Sequence, residues 1–241
     1  MSKLKTVFTA LMMVALTANA QRSKGMLSIG FLHYVDDAKL ELDNATYKNA
    51  LQQTFTITKF KYYISNIQLK RKDGKEICLP GYYLIDEETE ASKKISLKDV
   101  PAGEYTSVSY LLGVDSLHNC SGAQSGALDP VNAMFWTWNT GYIFLKLEGK
   151  ASASTAPGQL IEYHIGGYKS PSDCIRKIVL TFNNPLKIDA GKESSFNISV
   201  NAAEVLKTPD AIDFSKLPSV TDQKNAVMIA DNYGDMFSLE E

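Results

Sequence analysis

Leu27, Ile29, Phe31 and His33 alternate with Ser28, Gly30, Leu32 and Tyr34, the period of two that puts one series of side chains on one face of a strand. A second strand is predicted over Phe55–Leu69, rich in β-branched and aromatic residues and followed by the hairpin signal Asp73-Gly74. A third comes from Thr106, Val108, Tyr110, Leu112 and Val114, which alternate with Ser107, Ser109, Leu111 and Gly113. Composition predicts further strands at Phe135–Leu147, Leu160–Ile165, Ile175–Phe182 and Ser195–Val205. Connections such as Pro101-Ala102-Gly103, Asn183-Asn184-Pro185 and Ala190-Gly191 are short and carry turn chemistry. Many strands at this spacing predict a mainly β protein, an antiparallel β-sandwich. After Thr208 the pattern changes: Val227, Met228, Ile229 and Ala230 sit among polar residues in Asp222–Phe237. This predicts a short helical C-terminal tail, residues 208–241, packed on one domain spanning 21–207.

The first twenty residues read differently. Lys3 and Lys5 precede an apolar run from Val7 to Leu16, and Ala18-Asn19-Ala20 follows as a small-x-small cleavage site. This is the layout of a secretory signal peptide, cleaved after Ala20, and it predicts a periplasmic or secreted protein. The apolar run is shorter than the roughly 20 residues that span a bilayer, and no later stretch is longer, so stable membrane insertion is not expected. No cysteine follows the cleavage site, which leaves lipid attachment there without support. With 25 Lys+Arg against 27 Asp+Glu, the chain lacks the basic surplus that phosphate binding needs, and nucleic acid is not an expected partner.

Export permits disulfides. Three cysteines remain, Cys78, Cys120 and Cys174, so one thiol is left over, and the loop contexts of Cys120 and Cys174 make them the preferred pair. No Cys-x-x-Cys or Cys/His zinc spacing occurs. Nor does any Gly-x-Ser-x-Gly, His-Glu-x-x-His, phosphate-binding glycine loop or EF-hand loop, so the chain is read as a binding protein rather than an enzyme.

Candidate chemistry falls to few residues. His33 continues the apolar face of its strand, and His164 stands in Tyr163-His164-Ile165-Gly166-Gly167, where glycines admit close backbone approach. Imidazoles from two strands are a common way to hold copper or zinc; the plainer alternative is that each is a hydrogen-bonded strand histidine. His118, in Ser116-Leu117-His118-Asn119, reads as a loop residue. In Met134-Phe135-Trp136-Thr137-Trp138, an extended chain puts Met134, Trp136 and Trp138 on one face. Those indoles are either sandwich core or an exposed platform for a glycan or protein partner.

A set of segments resembles the MbnP-like family of exported bacterial copper-binding proteins, in its Bacteroidetes-type version. They are Phe31-Leu32-His33-Tyr34, Lys61-Tyr62-Tyr63-Ile64-Ser65-Asn66-Ile67, Gly113-Val114-Asp115-Ser116, Ser121 through Pro130, Met134 through Tyr142, Lys146-Leu147-Glu148-Gly149 and His164-Ile165-Gly166-Gly167. The resemblance implies copper, as Cu(I), bound by two histidines and a tryptophan oxidised to kynurenine by a partner MauG-like diheme cytochrome c peroxidase. By position it implies His33 and His164 as imidazole ligands and Trp136 or Trp138 as the modified residue, in a protein of copper acquisition or homeostasis. Opening an indole puts an aromatic amine and a ketone where a hydrocarbon face stood, and low-coordinate Cu(I) suits two neutral imidazoles beside such a group. The rivals are a glycan- or protein-binding module using the tryptophan pair, and a two-histidine metal enzyme with an open coordination position.

Overall fold

The computed structural model describes residues 23–136, 141–222 and 224–240. The strands are β1 (Lys24–Val35), β2 (Ala38–Lys39), β3 (Tyr47–Lys48), β4 (Thr54–Arg71), β5 (Glu76–Asp86), β6 (Lys94–Pro101), β7 (Gly103–Leu112) and β8 (Phe135–Trp136). They continue with β9 (Gly141–Tyr142), β10 (Leu145–Ala151), β11 (Leu160–Ile165), β12 (Arg176–Ile188), β13 (Glu193–Asn201), β14 (Ser219–Val220) and β15 (Phe237–Leu239). Two short helices accompany them, α1 (Ser116–Asn119) and α2 (Ala226–Tyr233).

The alternation read in β1 is realised: Leu27, Ile29, Phe31, His33 and Val35 are buried, and Met26 and Leu32 face outward. β1 pairs in parallel with β13, Met26 opposite Glu193 through Tyr34 opposite Asn201, and antiparallel with β6. With β2 and β15 these form a five-stranded sheet. The second sheet has eight strands built on β4. The first half of β4 pairs with β10, its second half with β5 and β7, and β11 extends the sheet beyond β10. Pairing is predominantly antiparallel, and the two sheets close as a β-sandwich.

Strand alternation divides the larger sheet into two faces. Tyr62, Leu145 and Ile165 stand opposite one another on adjacent strands, as do Phe60, Leu147 and Tyr163. All six are buried on the inner face, where Tyr62 meets Phe31 of β1 with ring centroids 6.3 Å apart and Phe237 of β15 at 5.7 Å. The intervening row, Lys61, Lys146 and His164, points to the outer face. Residues 113–136, with Gly141 and Tyr142, form a cap over part of that face. The Tyr63 hydroxyl donates to the carbonyl of Ala127 at 2.9 Å, and the Ser65 hydroxyl to that of Gly113 at 2.8 Å.

Four features depart from the sequence reading. The strand expected over Phe135–Leu147 is broken: β8 and β9 pair as Phe135 opposite Tyr142, Ile143 N–H donates to Met134 at 2.9 Å, and β10 starts at Leu145. The strand expected to reach Val205 stops at Asn201, whose side chain accepts from the Ala203 N–H and starts a 3-10 turn, Ala202–Leu206. β5 and β6 went unread because β5 is interrupted by Pro80-Gly81 and half-buried along most of its length, and β6 carries exposed lysines and aspartate. The segment after Thr208 also does more than pack on the domain. It holds α2 and supplies β14 to one sheet and β15 to the other.

Candidate metal centre

His33 and His164 are not brought together. β1 aims the His33 imidazole into the space between the sheets, where its centroid lies 5.2 Å from Phe60 and 5.6 Å from Tyr62, both on the inner face of β4. His164 belongs to the opposite face of the same sheet, in the row of Lys61 and Lys146. A β-sheet stands between the two rings, so no single ion is shared by them. The expected two-imidazole site is corrected on this point.

His33 is also chemically occupied. It is 4% exposed; its Nδ1 lies 2.5 Å from Glu87 Oε2, and its Nε2 lies 2.8 Å from the Tyr62 hydroxyl. A carboxylate only accepts, so Nδ1–H donates to Glu87, and Nε2 shares a hydrogen bond with the Tyr62 hydroxyl. Lys93 completes the chain 3.4 Å from Glu87. Burial works to raise the Glu87 pKa, but the hydrogen bond and charge of His33, with Lys93, hold it below the usual carboxylate value. This is the hydrogen-bonded strand histidine of the plainer reading.

His164 sits differently. Its Nε2 lies 2.8 Å from Glu148 Oε1, and among the described residues nothing hydrogen-bonds its Nδ1. That hydrogen bond is the main cause holding the Glu148 carboxyl down at about 2, against burial and with help from Lys59 and Lys146. Lys146, across the ladder from His164, is nearly buried, and desolvation pushes its pKa below the ordinary lysine value. Its ammonium donates to the carbonyl of Ala133 at 2.5 Å, tying the chain just before Met134 to this face. Lys146 and Glu148 were legible only as two charges alternating with buried Leu145 and Leu147.

Trp136 packs just beyond the end of β11. A β-carbon at Gly166 would lie 2.8 Å from Trp136 Cζ3 and 2.4 Å from the carbonyl oxygen of Tyr142, so the indole is seated on bare backbone two residues beyond His164. Trp136 is 6% exposed and Met134 is buried, which favours the packed reading of this segment over a sugar platform at Trp136. The indole also borders a cavity of about 330 Å³ lined by Asn119, Tyr142, Tyr168, Lys169 and Pro171 among others. Trp138 lies outside the described residues.

The expected Cys120–Cys174 pair is not formed: all three cysteines are free thiols. Cys174 is turned inward, its carbonyl accepting from the Tyr233 hydroxyl and its thiol pushed up to about 12 by burial. Cys120 is exposed and lies 3.3 Å from the Tyr168 hydroxyl.

His118, read as a loop residue, lies at the end of α1 in a second network. Asp115 caps that helix by accepting from the His118 N–H, and also accepts from Tyr82 and Asn66. Burial alone would raise its pKa, but these donors outweigh it and hold the carboxyl at about 2. A depressed carboxylate contributes stability that is complete above its unfolded pKa and is lost as pH falls through the folded value. Acid unfolding is therefore expected to steepen from about pH 3.8 to about pH 2. Asp115→Asn should flatten that part of the curve of unfolding free energy against pH.

The sequence model of the MbnP family matches residues 24–228, the described domain almost end to end. The chain belongs to the MbnP family. MbnP from Methylosinus trichosporium has a similar structure, with a TM-score of 0.59 at 12% identity, over 90% of this chain and 98% of that one. At that identity the likeness is one of fold. No curated protein matches the chain in sequence. Among the described residues of this MbnP-family chain, no three His, Cys, Asp or Glu side chains are gathered as ligands. Among the described residues, the Nδ1 of His164 has no hydrogen-bond partner, and a buried indole is seated two residues further along the chain. An imidazole nitrogen is a donor that a soft, low-coordinate ion accepts.

Proposed function

We propose that this MbnP-family chain is an exported copper-binding protein, not an enzyme, serving copper acquisition or homeostasis. Its ion is held on the outer face of the larger sheet, by His164 with the Trp136–Trp138 segment. The observation that supports the reading is the seat of the Trp136 indole on Gly166, two residues along the chain from His164, in a chain of this family. Copper, rather than another metal, comes from the family resemblance, and an imidazole with few hard oxygen donors is consistent with Cu(I).

An unmodified indole is a poor ligand, so the reading includes oxidation of Trp136 or Trp138 to kynurenine by a diheme peroxidase partner. The change breaks the indole C2–C3 bond and puts one oxygen on each carbon while two molecules of hydrogen peroxide are reduced to water; a further water then hydrolyses the N-formyl group, releasing formate and leaving an aryl amine and a ketone. The electrons go to the oxidant that the peroxidase reduces. The chain's own contribution is to fix the ring. Gly166 lies against the Trp136 ring, and the Lys146–Ala133 bond ties down the chain just before Met134.

Competition of the purified protein with a Cu(I) chelator tests the assignment. His164→Ala is expected to weaken copper binding at least tenfold while costing about 1 kcal/mol of stability or less, as for a partly exposed pair. Equal affinity of parent and variant would remove His164 from the site. Mass spectrometry of the protein from its native host tests the other half: a peptide over residues 134–142 should carry kynurenine or two added oxygens.

A further inference from the structure

We infer that Glu148 is the positioning residue of this site: it fixes His164 as the Nε2–H tautomer, so that Nδ1 is the nitrogen presented to copper. The inference rests on the copper reading above and names how its imidazole is held.

Three observations carry it. Glu148 Oε1 lies 2.8 Å from His164 Nε2, within ordinary hydrogen-bond distance. A carboxylate has no hydrogen to give, so the hydrogen between them is on Nε2, and in a neutral imidazole the lone pair is then on Nδ1. Second, among the described residues Nδ1 has no hydrogen-bond partner, whereas both nitrogens of His33 are engaged. Third, the carboxylate is itself fixed. Glu148 faces Lys59 at 3.5 Å and Lys146 at 3.9 Å, and Lys146 is bonded to Ala133 at the root of the tryptophan segment. Carboxylate, imidazole and indole-bearing loop thus share one support, built from β4, β10 and β11. A carboxylate behind a metal-binding histidine orients the ring and raises its basicity, and loss of such a partner typically weakens metal binding 10- to 100-fold. Coordination through Nδ1 displaces no proton from the ring, so the Glu148 hydrogen bond persists in the loaded protein.

The test uses the full mature chain. In the copper-free protein, long-range proton–nitrogen correlation NMR on ¹⁵N-histidine, at about pH 9 where an ordinary imidazole is neutral, is expected to report Nε2–H for His164. An Nδ1–H tautomer overturns the proposal. Glu148→Ala is expected to erase the tautomer bias and to weaken Cu(I) binding, read by chelator competition, by about 10- to 100-fold. Glu148→Gln, whose amide oxygen still accepts, should restore most of both. Unchanged affinity in a folded Glu148→Ala also overturns it, and if that variant fails to fold, the parent's tautomer and Glu148→Gln decide. The two readings fail separately. A parent that binds no copper sinks the function, while a His164-dependent site indifferent to Glu148 sinks only this inference.

Discussion

His33→Ala is expected to cost about 3–5 kcal/mol of stability and to leave copper affinity unchanged. The cost has two sources. Removing the ring opens a void against Phe60 and Tyr62 in the middle of the sandwich, and it strips partners from two buried polar groups. Glu87, nearly buried beside Lys93, loses its 2.5 Å contact, and the Tyr62 hydroxyl loses its hydrogen-bond partner at 2.8 Å. Breaking a buried charged pair by removing one partner is worth about 3–5 kcal/mol, roughly 10 °C or more in unfolding temperature for a chain of this size. Thermal unfolding with chelator competition on the same sample checks both halves. A variant with the parent's melting temperature and weakened copper binding would reverse the roles of His33 and His164. His33→Phe, which keeps bulk without a polar atom, should recover packing but not the hydrogen bonds, and so fall between parent and alanine.

The second large effect is expected at Gly166. An alanine there would place its β-carbon 2.4 Å from the Tyr142 carbonyl oxygen and 2.8 Å from the Trp136 ring, both far inside van der Waals contact. Neither neighbour yields easily. The Tyr142 N–H donates to Asn119 at 3.0 Å and its hydroxyl to Leu128 at 2.8 Å, so the whole cap would have to lift. Overpacking of this kind costs about 3 kcal/mol, the upper end of its usual range. Gly166→Ala should therefore lower stability, shift tryptophan emission to the red as Trp136 gains water, and weaken copper binding by separating the indole from His164. Unchanged emission and affinity would show that the indole does not depend on this seat. The comparison with His33→Ala is informative, because both variants destabilise while only the outer-face change is expected to disturb copper.

Much of the fold was legible as pattern. The alternation of Leu27, Ile29, Phe31 and His33 correctly assigned a buried face to β1, and it correctly put His33 on that face. The same fact argued against His33 as an accessible ligand, since a ring on the core side of one sheet meets the core side of the other. Asp73-Gly74 announced the β4–β5 hairpin, where Gly74 has φ +87°, although β5 itself escaped notice behind Pro80-Gly81. The candidate site was legible only in pieces. His164 and Trp136 were named, but Glu148 is opposite Glu162 and beside His164 only once the β10–β11 register is set.

The string of residues determined by itself which side chains are apolar, where strands begin to alternate and which few groups are able to bind a soft metal. These are local properties, fixed by side-chain chemistry and by the period of an extended chain. Only the tertiary structure decided which side of a sheet each imidazole occupies relative to the other. That depends on strand pairing between segments far apart along the chain, as between Tyr62 of β4 and Leu145 of β10, and a shift of one residue in register exchanges the two faces. The larger sheet therefore keeps His33 with Tyr62 and Glu87 in the core, and leaves His164 with Glu148 and Trp136 beneath the cap.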